Sequence, residues 1–74
     1  MTAEQRKAIN KAIRKATSFF LKFGYMDFTR FRMFFDNVDF ENREQEITLT
    51  QSAYLKLANN LYKAGHIKTM HAAD

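Results

Sequence analysis

The chain has 74 residues, which is enough for one small domain and leaves no room for a second core. Its composition, 46% hydrophobic and 27% charged, is typical of a folded globular protein and excludes a disordered chain. The absence of cysteine excludes disulfides and thiolate metal sites, and a chain with no proline and two glycines favours helices with short connections. We expect a single domain over residues 1–74, frayed at 71–74.

The charge is unevenly distributed along the chain. The formal net charge is +4, yet residues 1–32 hold eight basic and two acidic side chains. Residues 33–47 reverse the sign, because five acidic side chains there face only Arg43. A basic segment followed by an acidic one affects association with charged partners rather than the fold itself.

The first predicted element is an amphipathic helix over residues 2–23. Thr2 and Gln5 fit a capping box, and Gly24 has the position of a left-handed residue that ends a helix. At about 100° per residue, one arc of this helix is apolar and the opposite arc is basic. The apolar arc consists of Ile9, Ala12, Ile13, Ala16, Phe20 and Phe23, and the basic arc of Lys7, Lys11, Arg14, Lys15, Ser18 and Lys22.

The middle of the chain is less regular. Residues 25–35 are rich in phenylalanine at helical spacing, with Asp27 as an N-cap, although part of the segment also alternates like a strand. A short helix is favoured there, because Gly24 and Asp27 supply a stop and a start signal. Residues 36–48 are acidic and then alternating, which fits either a loop or a small β-hairpin with its turn near Asn42 and Arg43.

The last predicted element is a second amphipathic helix over residues 49–64. Thr48 and Gln51 repeat the capping-box pattern, and Gly65 repeats the glycine stop. The predicted fold class is therefore mainly α, with two amphipathic helices around a Phe-rich short helix and a possible small β-hairpin. This order of elements is compatible with a degenerate winged helix-turn-helix, an architectural analogy that carries no function.

Nothing in the sequence indicates catalysis, a metal or a cofactor. None of the short motifs for phosphate, zinc or calcium is present. His66 and His71 are five residues apart and have no cysteine beside them, so surface imidazoles are the better reading. Carboxylates are numerous, but a chain this small has little volume for a water-excluding pocket. We expect a non-enzymatic protein with no cofactor.

The basic arc of the first helix is the strongest functional feature. It forms a row about 22 Å long from Lys7 to Lys22, at about 1.5 Å per residue, and such a row suits the phosphates of a nucleic acid. A merely solvated face usually mixes both signs of charge, whereas here only Glu4 and Gln5 interrupt the run. The predicted nucleic-acid-binding residues are Lys7, Lys11, Arg14, Lys15 and Lys22, with Arg30 and Arg32 at the margin.

The aromatic residues support a different function as the alternative. Nine rings lie between Phe19 and Phe40, more than a domain of this size is expected to bury in full. Rings left exposed beside arginine suit stacking on unpaired bases or docking on a protein. The alternative is therefore a small inhibitor or modulator that docks on a larger protein through Phe28, Phe31 and Phe35.

Three further expectations concern the surroundings of the protein. A basic amphipathic helix also fits a membrane surface, but its apolar face is needed for packing against the last helix, which disfavours this reading. The opposed charges of the two segments leave a homodimer open. The charged N-terminus, the lack of a long apolar run and the absence of cysteine predict a cytoplasmic protein.

Overall fold

A computed structural model describes residues 1–35 and 38–67 of the chain. Three helices account for most of these residues: α1 (Ala3–Phe23), α2 (Phe28–Arg32) and α3 (Arg43–Lys63). The described residues contain no strand, so the mainly α fold class is confirmed, while the β-hairpin and the winged helix-turn-helix are not. The tail predicted at 71–74 lies outside the described residues.

Helix α1 begins and ends where its sequence predicts. The Thr2 hydroxyl accepts a hydrogen bond from the Gln5 backbone N–H at 3.0 Å, and the Thr2 N–H donates to Gln5 Oε1 at 2.9 Å. This is the predicted capping box, which satisfies two amides that the first turn leaves without helical partners. At the other end Gly24 has a φ of 79°, which glycine adopts without the steric cost of a Cβ.

The short helix α2 is also confirmed, although it is limited to Phe28–Arg32. Asp27 is its N-cap, with a carboxylate oxygen that accepts from the Arg30 backbone N–H at 2.7 Å. The strand-like alternation of this segment has no structural counterpart.

The predicted start of α3 is wrong by six residues. The helix begins at Arg43, and its N-cap is Asn42, whose side-chain oxygen accepts from the Gln45 backbone N–H at 2.8 Å. Glu44 and Glu46 follow in the first turn, where carboxylates favourably face the positive end of the helix dipole. Thr48 therefore lies inside the helix and caps nothing, and the hairpin turn predicted near Asn42 is a helix start instead.

A pair of alanine substitutions distinguishes the two N-cap candidates of α3. Asn42→Ala removes the capping acceptor and should lower the free energy of unfolding by about 1 kcal/mol. Thr48→Ala should leave it unchanged or raise it by a few tenths of a kcal/mol, because alanine has the higher helix propensity at an exposed interior position. Urea denaturation of both variants measures the difference, and the reverse order of effects would place the start of the helix at residue 49.

The glycine signal at the end of α3 is confirmed. Gly65 has a φ of 80°, its N–H donates to the Tyr62 carbonyl at 3.0 Å, and the His66 N–H donates to the Leu61 carbonyl at 2.9 Å. These two bonds form a Schellman motif, which satisfies carbonyls that the last turn leaves open. Both glycines thus end their helices in left-handed conformations.

Helices α1 and α3 lie side by side with their N-termini at the same end. At that end the Gln5 side-chain amide donates to the Asp39 carbonyl at 2.6 Å and to Gln45 Oε1 at 3.2 Å. Toward the other end, Phe20 of α1 lines a small cavity together with Leu57 and Leu61 of α3. The two helices therefore run parallel, and the bundle measures 35 × 19 × 19 Å.

The core lies between the three helices. Phe31 of α2 is fully buried, and its ring centroid lies 5.2 Å from that of Phe35 and 5.4 Å from that of Tyr54. Apolar residues of α1 and α3 and Met26 pack around it. The buried residues of the core are Ile9, Ala12, Ile13, Ala16, Met26, Phe31, Ala53, Leu57 and Leu61.

The apolar arc of α1 is buried along only part of its predicted length. Ile9, Ala12, Ile13 and Ala16 are buried, and Phe20 is half-buried at the edge of the core. Phe23 is 53% exposed, so its predicted place in the core is wrong. Helical periodicity gives the direction in which a side chain points, but it does not indicate where the packing partner ends.

Candidate nucleic-acid interface

The predicted basic row lies on the outer face of α1. Lys7, Lys11, Arg14, Lys15 and Lys22 are all exposed, on the side opposite the buried residues of the same helix. The helix fixes the spacing of their backbone positions along its axis. The structure therefore presents this row to solvent as a continuous set of cations.

Part of this row borders a shallow open groove that we call the basic groove. Its residues from α1 are Arg14, Lys15, Ser18, Phe19 and Lys22, and Phe34 joins them from the turn after α2. The rings of Phe19 and Phe34 meet edge to face with centroids 6.1 Å apart. The groove thus combines three cations, a hydroxyl and two rings, and none of its lining residues is acidic.

Arg30 joins the basic groove through its contact with Phe19. The guanidinium carbon lies 5.0 Å from the Phe19 ring centroid and 5.7 Å from that of Tyr25, within the range of cation–π attraction. The Arg30 Nε atom is buried and has no hydrogen-bond partner among the described residues. Stacking on two rings holds this side chain in place, so a fourth cation belongs to the same surface.

Two exposed rings extend this surface beyond the end of α1. Phe23 is 53% exposed and Tyr25 is 50% exposed, and both contact the ring of Phe19. The Lys22 Nζ atom lies 5.3 Å from the Phe23 ring centroid. Each of the two exposed rings beside Gly24 therefore has a cation next to it, Lys22 at Phe23 and Arg30 at Tyr25.

Arg32, predicted at the margin of the site, is not brought to the basic groove. Its guanidinium donates to a carboxylate oxygen of Glu46 in α3 at 3.1 Å, and both side chains are partly exposed. An exposed pair of this kind contributes about 0–1 kcal/mol to stability. Its position directs Arg32 toward the start of α3 rather than toward the row on α1.

The predicted partner-binding rings are less available than the sequence suggests. Phe31 is fully buried, so its assignment to a docking surface is wrong, and its ring supports the core instead. Phe28 and Phe35 are half-buried: Phe28 packs edge to face on Tyr54 at 5.4 Å, and Phe35 packs against Phe31. Among the described residues, the most exposed aromatic rings are those of Phe23 and Tyr25.

The acidic residues around the start of α3 lie at the end of the bundle away from Phe23 and Tyr25. The Glu41 N–H donates to Gln45 Oε1 at 2.7 Å, and Gln45 accepts from Gln5 at the start of α1. Glu41 and Glu44 thus lie near the N-terminal ends of α1 and α3, whereas the basic groove lies toward the C-terminal end of α1. This polarity favours an anionic ligand at the groove.

Sequence reasoning missed Phe19, Phe23, Tyr25 and Phe34 as members of the site. The helical spacing of Lys15, Phe19, Lys22 and Phe23 was the available signal, because positions three and four apart share a face. Phe34 carries no such signal, since its place depends on how α2 packs against α1.

No match was found when the chain was compared with protein-family models, curated proteins and solved structures. Within residues 1–35 and 38–67, no cluster of three acidic or imidazole side chains is arranged to hold a metal ion. In the same part of the chain, no helix is long and apolar enough to cross a membrane.

Proposed function

We propose that this chain is a small non-enzymatic protein that binds nucleic acid, without strong sequence preference, along the outer face of α1. The observation that carries the proposal is the basic groove, where Arg14, Lys15 and Lys22 border the rings of Phe19 and Phe34. Lys7 and Lys11 continue the row toward the N-terminus of α1.

The physical basis is the neutralisation of phosphates by a row of fixed cations. Each lysine or arginine that replaces condensed counterions on a phosphate releases them to solvent, which favours binding at low salt. Four or five such contacts along about 22 Å match a backbone with phosphates several ångströms apart. Phosphate contacts of this type fix position and carry no sequence information, so the proposed binding is sequence-tolerant.

The salt dependence of binding provides the first test. With four or five phosphates neutralised, log affinity for duplex DNA should fall against log salt with a slope of about −4, since each contact contributes about −0.9. Fluorescence anisotropy of a labelled duplex at salt concentrations between about 50 and 200 mM measures this slope. An affinity that does not change with salt would rule out the electrostatic mechanism.

Docking on a larger protein is the second candidate function. Four large apolar side chains between residues 21 and 33 are exposed, and exposed apolar surface suits a protein interface where it forms a patch: Leu21, Phe23, Tyr25 and Met33. Absorbance at two wavelengths after purification at low salt discriminates the two functions cheaply. Nucleic acid that co-purifies supports the first, whereas clean protein that binds no oligonucleotide supports the second.

Three associated expectations stay predictions. A homodimer in which the acidic end of one copy meets the basic groove of another would dissociate with rising salt in sedimentation experiments. A cytoplasmic location and the absence of catalysis follow from the sequence arguments alone.

A further inference from the structure

We infer that the ligand of this surface is single-stranded nucleic acid, with unpaired bases stacking on Phe23 and Tyr25. This inference rests on the proposed function and specifies its substrate class. The starting point is that two rings on adjacent sides of Gly24 are each about half exposed, at 53% and 50%. Both rings contact Phe19, which lines the basic groove, so they lie at the edge of that groove.

Each of the two rings packs against the ring of Phe19. Phe19 is half-buried beneath them, and its ring centroid lies 4.6 Å from that of Phe23 and 5.3 Å from that of Tyr25. Arg30 stacks against both Phe19 and Tyr25 from the α2 side. A ring that is already ordered loses little side-chain entropy when a base stacks on it, which favours binding.

The cations around these rings match the backbone of the same strand. Lys22 lies beside Phe23, and Arg14 and Lys15 follow along the basic groove, about two helical turns from Lys22. A single strand places its phosphates on one side and its unstacked bases on the other. The cations can therefore contact the phosphates while the rings contact the bases. In a duplex the bases are paired and stacked on each other, and the exposed rings have no base faces to contact.

Stacking of this kind depends on π-faces that every base possesses, so it is compatible with tolerance of sequence. Aromatic rings beside lysine and arginine form the usual surface of proteins that bind single strands. Phe23 and Tyr25 also support the alternative of protein docking. In this proposal the ligand that contacts them is an unpaired base.

The test compares a labelled oligothymidine of about 16 nucleotides, the upper end of a usual single-strand site, with a duplex of equal length. The variant is Phe23→Ala with Tyr25→Ala, and the control is Tyr62→Ala, an exposed ring on α3 outside the basic groove. The double variant should bind the single strand at least about tenfold more weakly, which corresponds to about 1.4 kcal/mol, while its duplex affinity stays within about twofold.

Phe23→Leu with Tyr25→Leu separates stacking from packing, because leucine keeps an apolar contact with Phe19 but offers no ring. It should show the same loss for the single strand, with an unchanged circular dichroism spectrum. If wild-type protein binds both ligands and the ring variants bind them equally well, the inference is overturned and the proposed function survives. If wild-type protein binds neither ligand, both fail.

Discussion

Phe31→Ala should lower the free energy of unfolding by about 3–5 kcal/mol, the range for removing a fully buried phenylalanine. The Phe31 ring is 0% exposed, contacts the rings of Phe35 and Tyr54, and is the side chain through which α2 reaches the core. Its removal leaves a cavity that short α2, with its two flanking connections, closes only in part. The total stability expected for 74 residues is about 4–11 kcal/mol, so much of it would be lost.

Urea denaturation followed by circular dichroism measures this change as a lower midpoint at similar slope. Phe31→Leu should lower the free energy of unfolding by less, about 1–2 kcal/mol, because leucine fills most of the volume of the phenylalanine ring. It keeps the experiment informative if the alanine variant does not fold. The matched control is Met33→Ala, since Met33 is 69% exposed two residues away, and its stability should change by less than about 0.5 kcal/mol. Equal effects at both positions would mean that α2 does not pack on the core.

The sequence predicts α1 almost completely because its signals are local. The capping box of Thr2 and Gln5 and the stop at Gly24 each involve residues within one turn, and no other cap competes with them.

The start of α3 cannot be predicted in the same way. Asn42 and Thr48 are both acceptable N-caps. Which of them begins the helix depends on whether the residues between them are more stable as helix or as a strand. Nothing local to those residues decides it.

Tertiary packing accounts for the parts of the site that the sequence does not predict. The exposed state of the basic row follows from its position opposite the apolar arc, so those residues are identified correctly as a surface row. The separation of Arg32 from Arg30 does not follow, because Arg32 pairs with Glu46, fourteen residues away in α3. Similarly, the burial of Phe31 and the exposure of Phe23 depend on where α2 and α3 end. Spacing along one helix contains none of that information.

Lys11→Glu with Arg14→Glu should weaken nucleic-acid binding by at least about 100-fold at moderate salt, or about 2.7 kcal/mol. The two substitutions change the charge at the centre of the basic row by four units, replacing two phosphate contacts with repulsion. Both side chains are exposed and neither belongs to the core, so the fold of α1 should be retained. Glu at position 11 even precedes Lys15 by four residues, a spacing that supports a helix.

The decisive control reverses the same number of charges elsewhere. Lys56→Glu with Lys63→Glu, both exposed on α3, gives the protein the same net charge without touching the row on α1. If a local surface binds the phosphates, this control should lose less affinity than the α1 variant, because the row on α1 keeps all of its cations. Equal losses would show that binding follows the net charge of the whole molecule rather than the basic groove. An α1 variant that binds nucleic acid as tightly as the wild type would remove Lys11 and Arg14 from the interface, whereas wild-type protein that binds no oligonucleotide would favour protein docking instead.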